Sequence, residues 1–242
     1  MEVTYGLGSD FVFTEAVDYL KSKLTMTSDE YKKLGDDCKS KAFTVSGYSS
    51  TEILQTFLDT LSKAAEEGQT KEQFREKMNT FLTENGYDAM NPWKADTIFR
   101  TNMQTAFNVG HYESMTNDTT MKLRPYWQYE TAADGDVREA HAIMHGRVYP
   151  ANDPIWDIWY PPNGFRCRCM VKSLTKRQVE QRGLRIENDL PYDIDKDTGE
   201  ILPSFPDKGF SRNPAKKDWK PDLSGISKDL KDIYLQQRYK VP

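Results

Sequence analysis

Between Trp127 and Cys169 the chain gathers two of its three histidines, two of its three cysteines and three of its five tryptophans. The same run holds Pro150, Pro154, Pro161, Pro162 and Gly164. Proline fixes φ and removes a backbone donor, so neither a long helix nor a wide sheet can pass through this segment. It reads as short elements joined by turns in a loop-rich region. Arg124 to Tyr129 alternates like a strand, and Val137 to Met144 fits a short helix. Asp153-Pro154 and Pro161-Pro162-Asn163-Gly164 mark turns, and the alternation from Phe165 to Val171 predicts a further strand.

The chain before this run has a different texture. Ala16, Tyr19, Leu20 and Leu24 fall at helical spacing. Thr27-Ser28-Asp29-Glu30 has the form of a capping box and predicts a helix from Ser28 to about Lys41. Ser49-Ser50-Thr51-Glu52 repeats the signal ahead of a stripe of Ile53, Phe57, Leu58, Leu61 and Ala65, which Gly68 is placed to end. Thr70-Lys71-Glu72-Gln73 opens a helix with Phe74, Met78, Phe81 and Leu82 on one face, and Gly86 closes it. Asn91-Pro92 supplies an N-cap and an N1 proline for a long helix through Ile98, Ala106 and Val109 toward Tyr112. Beyond Leu184 the chain is proline-punctuated and reads as extended. A helical stretch from Ser224 to about Tyr239 follows. The expected class is α+β: a helical N-terminal region over residues 1–117, then a compact, loop-rich α+β module with short antiparallel strands and an extended C-terminal tail over 118–242.

Composition narrows the function. Hydrophobic residues make up 37% and charged residues 29% of 242, and thirteen tyrosines and eleven phenylalanines add core-forming bulk to the tryptophans, so a packed core is expected. No apolar run approaches the roughly 18 residues of a membrane span, and MEVTYGLGSDFVF lacks the basic start and apolar stretch of a secretory signal. The expectation is a protein that starts in a cytoplasm. A net charge of −4 argues against non-specific DNA binding as the main role. Three cysteines do not make a disulfide scaffold; Cys38, alone in a helical pattern, reads as a half-buried thiol.

Three groups of residues carry chemistry. Cys167 and Cys169, at i and i+2 of an expected strand, face the same way, and His141 and His145 stand one helical turn apart. Two thiols and an imidazole suit zinc, with Asp134 and Asp136 as oxygen alternatives. The competing reading is two half-buried thiols beside a surface histidine. The second group is basic: Arg166, Arg168, Lys172, Lys176, Arg177, Arg182 and Arg185 are opposed within that stretch only by Glu180. This is either a contact for a polyanion or acidic partner, with Lys172, Lys176 and Arg177 at its centre, or a solvated helix face. The third is Asp193 to Glu200, which resembles a calcium loop but has Thr198 and Ser204 where an EF-hand needs glycine and glutamate; an acidic turn through Asp197-Thr198-Gly199 is the better reading. Trp156 and Trp159 either pack the loop-rich region or form a docking surface. The zinc-deaminase, HExxH, G-x-S-x-G and Walker patterns are absent.

The central block resembles the Mu-phage F-like minor head proteins of tailed phages and prophages. The matching elements are Arg100-Thr101, Trp127-Gln128-Tyr129 with Thr131, Asp136-Val137-Arg138 with His141, and Gly146-Arg147-Val148. They continue through Asp153-Pro154, Trp156, Pro161-Pro162-Asn163-Gly164 and Cys167-Arg168-Cys169. Residues 15–82 and the stretch from Phe210 to Pro221 look like further parts of such proteins. The resemblance implies a non-enzymatic minor head protein that acts in head morphogenesis, DNA packaging or DNA delivery. It would sit with the portal and other head or scaffold proteins in the virion head interior or procapsid, and in the host cytoplasm during assembly. Packaged phage DNA is a possible contact; neither a membrane nor a small-molecule substrate is implied. His145 stands where the family usually has aspartate, which leaves Cys167, Cys169 and His141 as the better ligands for a structural Zn²⁺, with Asp136 chosen as the fourth. Arg100, Arg138 and Arg168 are expected to make buried polar contacts. The rival function is a metal-dependent hydrolase or nuclease on Asp136, Glu139, His141 and the two cysteines; an adaptor that binds DNA through the basic stretch is a further one.

Overall fold

The computed structural model describes residues 13–34, 39–194, 197–199 and 201–216. Cys38, the stretch from Ser224 to Tyr239, and Asp195, Lys196 and Glu200 of the acidic turn lie outside them. The class is α+β. The chain divides into two compact units, the first reaching to Gly110 and the second spanning His111–Ala215.

The first unit is built on capped helices. Helix α1 (Thr14–Lys21) leads into a two-residue strand β1 (Leu24–Thr25), and α2 (Ser28–Lys33) precedes β2 (Ala42–Phe43). The capping box at Thr27 and Glu30 forms as expected. The helix expected to run to about Lys41 is broken after Lys33: Leu34 turns to an extended conformation and packs with Leu24, Met26 and Ala42, and Lys39 is helical again. Leu24, expected on the α1 stripe, instead pairs in parallel with Ala42 as Thr25 pairs with Phe43. Helix α3 (Thr51–Glu67) is capped by Ser50 and stopped by Gly68 in the left-handed region. Helix α4 (Lys71–Glu84) starts with a Thr70–Gln73 capping box. Helix α5 (Pro92–Thr116) begins where Asn91 Oδ1 accepts from the Lys94 amide at 2.8 Å. Ile53, Leu54, Phe57, Leu58 and Leu61 of α3 meet Phe74, Met78 and Leu82 of α4, with Ala95 of α5 and Phe43 completing the core. A Cβ on Gly110 would stand 2.8 Å from the Phe13 ring and 3.1 Å from the Ala16 amide, so glycine is what lets the start of α1 lie against α5.

The second unit contains α6 (Asp118–Leu123), β3 (Tyr126–Glu130), α7 (Glu139–Met144), β4 (Val148–Pro150), α8 (Ile155–Trp159), β5 (Met170–Leu174), α9 (Lys176–Gln181), and the pair β6 (Tyr192–Ile194) and β7 (Ile201–Pro203). Strand β3 is central in an antiparallel sheet of order β4-β3-β5. Trp127 faces Tyr149 and Ser173, and Tyr129 faces Val171. On that side Trp127, Tyr129, Tyr149, Val171, Trp156, Trp159, Tyr160, Cys167 and Cys169 form one core. Its rings meet edge-on or tilted: Tyr149–Trp156 at 5.8 Å, Trp127–Trp156 at 5.6 Å and Tyr129–Trp159 at 6.1 Å, separations that favour aromatic pairs. Trp156 and Trp159 are therefore interior packing residues. The other side buries Val148, Leu174 and Val179. The strand expected over Phe165–Val171 begins only at Met170: Phe165 and Arg166 form an exposed turn, with Arg166 at positive φ, and the alternation holds from Cys167 on, with Cys167, Cys169 and Val171 buried. β6 and β7 pair antiparallel, Ile194 opposite Ile201, on either side of the expected turn. Among the described residues no helix is long and apolar enough to cross a membrane.

Phe74, fully buried and 5.5 Å from the Phe99 ring, anchors the first unit. Phe74→Ala should cost about 3–5 kcal/mol in denaturant unfolding, while Trp93→Ala, at a residue 66% exposed, should stay within about 0.5 kcal/mol. His111 in the second unit donates from Nε2 to the Val171 carbonyl at 2.9 Å. Burial pushes its pKa down, with that hydrogen bond acting in the opposite direction. The unfolded chain, with a histidine near pH 6.5, then binds the proton more tightly than the folded one. This contribution to stability is present above about pH 6.5 and is lost as pH falls through the lower folded value. Thermal midpoints measured across that window should drop on acidification, and less steeply in His111→Gln.

Candidate metal centre

The site grows from two irregular stretches fixed against β3. The first is Asp134 to Arg138, which turns into α7 and so places His141 inward; His141 is 1% exposed. The second is the loop from Pro161 to Cys169, which contains a cis Pro161–Pro162 peptide and Arg166 at positive φ. Asn163, fully buried, organises this loop. Its side-chain oxygen accepts from the Tyr129 hydroxyl at 2.6 Å, and its carbonyl accepts from the Asp207 amide at 3.0 Å and from His141 Nε2 at 3.2 Å. With its proton on Nε2, the imidazole presents a lone pair at Nδ1. That atom lies 3.8 Å from Cys167 Sγ and 3.5 Å from Cys169 Sγ. All three ligand atoms lie within 4.8 Å of one another, and all three residues are buried.

The electrostatics of the two thiols are opposite. The Cys167 pKa is held well below the ordinary thiol range, first by a hydrogen bond from the Cys169 thiol and further by the Asn163 and Cys169 amides, against the opposing effect of burial. The Cys169 amide donates to Cys167 Sγ at 3.4 Å. Cys169, the donor of the pair, is pushed upward. Tyr129, also hydrogen-bonded to Cys169, is raised well above its usual value by burial, with both sulfurs adding to the effect.

The other expected residues divide around this centre. Asp136 is not among the three clustered ligands; it is exposed and lines a recess of about 20 Å³ beside them, with Val137, Arg138, Arg166 and Arg168. His145 points elsewhere, its Nδ1 accepting from the Thr131 amide at 3.1 Å. Arg100, Arg138 and Arg168 make their polar contacts at half-exposed positions, not in the interior. Arg100 pairs with Asp96 one turn back at 2.7 Å. Arg168 grips both oxygens of Asp134 at 2.5 and 2.6 Å and holds that carboxyl below the usual range. Arg138 donates to the Phe165 carbonyl at 2.8 Å and pairs with Asp207 at 3.3 Å. Gly164 lies directly beneath this last pair: a Cβ there would strike the Asp207 carboxylate. Of the basic residues, Lys172 pairs with Glu130, Lys176 with Glu180 at 3.9 Å and Arg185 with Glu187 at 3.4 Å, while Arg177 is exposed on α9.

Tyr129 and Asn163 stand in motifs of the family resemblance but carry no site role in the sequence reading, and Asp207 has no sequence signal at all. Asn163 sat inside a readable turn, but its role depends on partners far along the chain. Tyr129→Phe tests that role: removing the hydroxyl leaves a buried acceptor unpaired and should cost about 1–3 kcal/mol, read as a lower unfolding midpoint.

Residues 55–172 match the family described as Phage Mu protein F like protein. The chain is similar to the "Putative capsid assembly protein F" of Escherichia phage Mu, 29% identical over 263 aligned residues, covering 93% of this chain and 59% of that protein. It is also similar to the "Mu-like prophage FluMu F protein" of Haemophilus influenzae, 32% identical over 199 residues, covering 74% of this chain and 47% of the relative. The chain thus spans about half the length of these relatives. No solved structure matches it.

Proposed function

Because the chain belongs to the Phage Mu protein F like family across residues 55–172, we propose that it acts in the assembly of a phage head, as a structural component and not as an enzyme. The observation that carries this reading is the alignment of 93% of the chain with a phage Mu protein named for capsid assembly. Within that role we place it as a minor component beside the portal, in the procapsid or virion head, contributing to DNA packaging or delivery. The structure supports a scaffold-like module: the residues that could do chemistry are buried and engaged in holding loops. Contact with DNA or an acidic partner would fall to Lys176 and Arg177, which are exposed on α9, more than to Lys172, which is drawn to Glu130.

One observation favours the competing reading of a metal-dependent hydrolase or nuclease: the three clustered ligands border a solvent recess, as in catalytic zinc sites with an open position. Its expected base, Glu139, is exposed on the first turn of α7, whereas His141 is buried. Metal-dependent cleavage of DNA, RNA or peptide that Glu139→Gln abolishes would establish this alternative.

A nonsense allele of the gene, in a phage or inducible prophage that carries it, tests the assembly role. Particles from the parent should contain the chain in substoichiometric amounts by mass spectrometry, and the allele should sharply reduce DNA-filled heads. A normal yield of filled, infectious particles without the chain would overturn the proposal. Lys176→Glu with Arg177→Glu should lower DNA retention several-fold if α9 touches packaged DNA, since each lost phosphate contact weakens binding.

A further inference from the structure

His141, Cys167 and Cys169 converge from elements 26 and 28 residues apart in sequence, and the convergence has the dimensions of a coordination shell. In a tetrahedral site with Zn–S near 2.3 Å and Zn–N near 2.05 Å, nitrogen and sulfur ligands sit about 3.6 Å apart. The Nδ1–Sγ separations are 3.5 and 3.8 Å. With the two sulfurs also within 4.8 Å of one another, an ion about 2.3 Å from each sulfur and about 2.05 Å from Nδ1 can be accepted with little rearrangement. A surface thiol pair with a chance histidine neighbour would not be expected to bury all three groups at these distances.

The surroundings are those of a metal-binding histidine. The nitrogen away from the sulfurs donates to the Asn163 carbonyl, which fixes both tautomer and ring plane, as outer-shell partners of zinc-bound imidazoles do. Asn163 is itself held by Tyr129, and the His141 ring stands edge-on to Trp159 at 6.3 Å. The Cys169 amide directed at Cys167 Sγ stabilises negative charge on sulfur. Two thiolates and one neutral imidazole would cancel the charge of a divalent ion, so the filled site could stay buried without a counter-ion. Two sulfurs and a nitrogen select zinc over magnesium or calcium, which require oxygen. The adjoining recess has room for one water-sized ligand.

The geometry points to a zinc site in which His141 Nδ1, Cys167 Sγ and Cys169 Sγ hold the ion, and a solvent molecule in the recess completes the tetrahedron. Asp136 lines the recess without joining the three ligands and is not a ligand. The ion staples the loop that ends at Cys169 to α7. The protons of the two thiols are released on binding. The inference stands independently of the head-assembly role.

The test uses the full chain, purified without a metal-chelating tag from zinc-supplemented cells. Elemental analysis should find one zinc per chain. Chelation should remove it and lower the unfolding midpoint by about 10 °C or more. A thiol reagent should leave Cys167 and Cys169 unmodified before chelation and modify both after it. Cobalt added to the chelated protein should give a thiolate-to-metal charge-transfer band and the intense visible bands of a tetrahedral site. Cys167→Ser and His141→Asn should lose these signals; since both positions are buried and matter to folding as well, the cobalt spectrum of the unmutated protein decides. Asp136→Asn should keep full zinc content, and its loss there would overturn the solvent assignment. Folded protein, verified by circular dichroism, that takes up neither zinc nor cobalt, or that carries a Cys167–Cys169 disulfide when isolated, would overturn the site.

Discussion

The hydrogen bond from His141 Nε2 to the Asn163 carbonyl is the contact on which the second unit turns. It determines which imidazole nitrogen faces the sulfurs, and it ties α7 to a loop with no ladder of its own. Asn163 then carries the connection outward. Its side chain binds β3 through Tyr129, and its carbonyl takes the Asp207 amide of a segment more than forty positions along the chain. Irregular chain cannot be buried unless its polar groups find partners, and here a single asparagine supplies them for three separate elements. The aromatic core on the same face of the sheet excludes water from these bonds, which is what gives them weight.

The cap chemistry and the helical stripes of the first unit were legible because both are local. Thr27 with Glu30, Thr70 with Gln73, and Gly68 act within one turn of the helices they delimit. The errors arose where a distant partner overrode a local pattern. Leu34 leaves α2 to join Leu24, Met26 and Ala42, and nothing between Ser28 and Lys41 announces that destination. β1 and β2 are two residues each, too short for periodicity to register. The alternation from Phe165 to Val171 correctly gave the facing of the cysteines but not the start of the strand, because burial in a core and pairing in a ladder leave the same period-two trace.

The candidate site shows the same division. That His141 and the two cysteines belong together was readable from their types and spacing, whereas the tautomer, the Asn163 link and the position of Asp136 on the recess required the fold. Charge was the least legible property. The excess of basic residues after Cys167 is real in composition, yet Arg168 and Lys172 find Asp134 and Glu130 from before α7, and Arg185 finds Glu187 just beyond the cluster. A local charge count overstates the field that a partner would meet when the neutralising carboxylates come from elsewhere in the chain.

Burial separates what the cluster can do from what it can touch. His141, Cys167 and Cys169 are within 3% of full enclosure, while Arg138, Arg166 and Arg168 surround the recess beside them. The recess beside the sulfurs is flanked by arginines already engaged with Asp134, Asp207 and the Phe165 carbonyl. Opening a path through the recess would break the bidentate Arg168–Asp134 pair or the Arg138–Asp207 pair above Gly164, and the second joins the Asp207 amide bond to the Asn163 carbonyl in seating Asp207 against that loop. The elements that would admit a substrate are thus the same ones that hold the centre together.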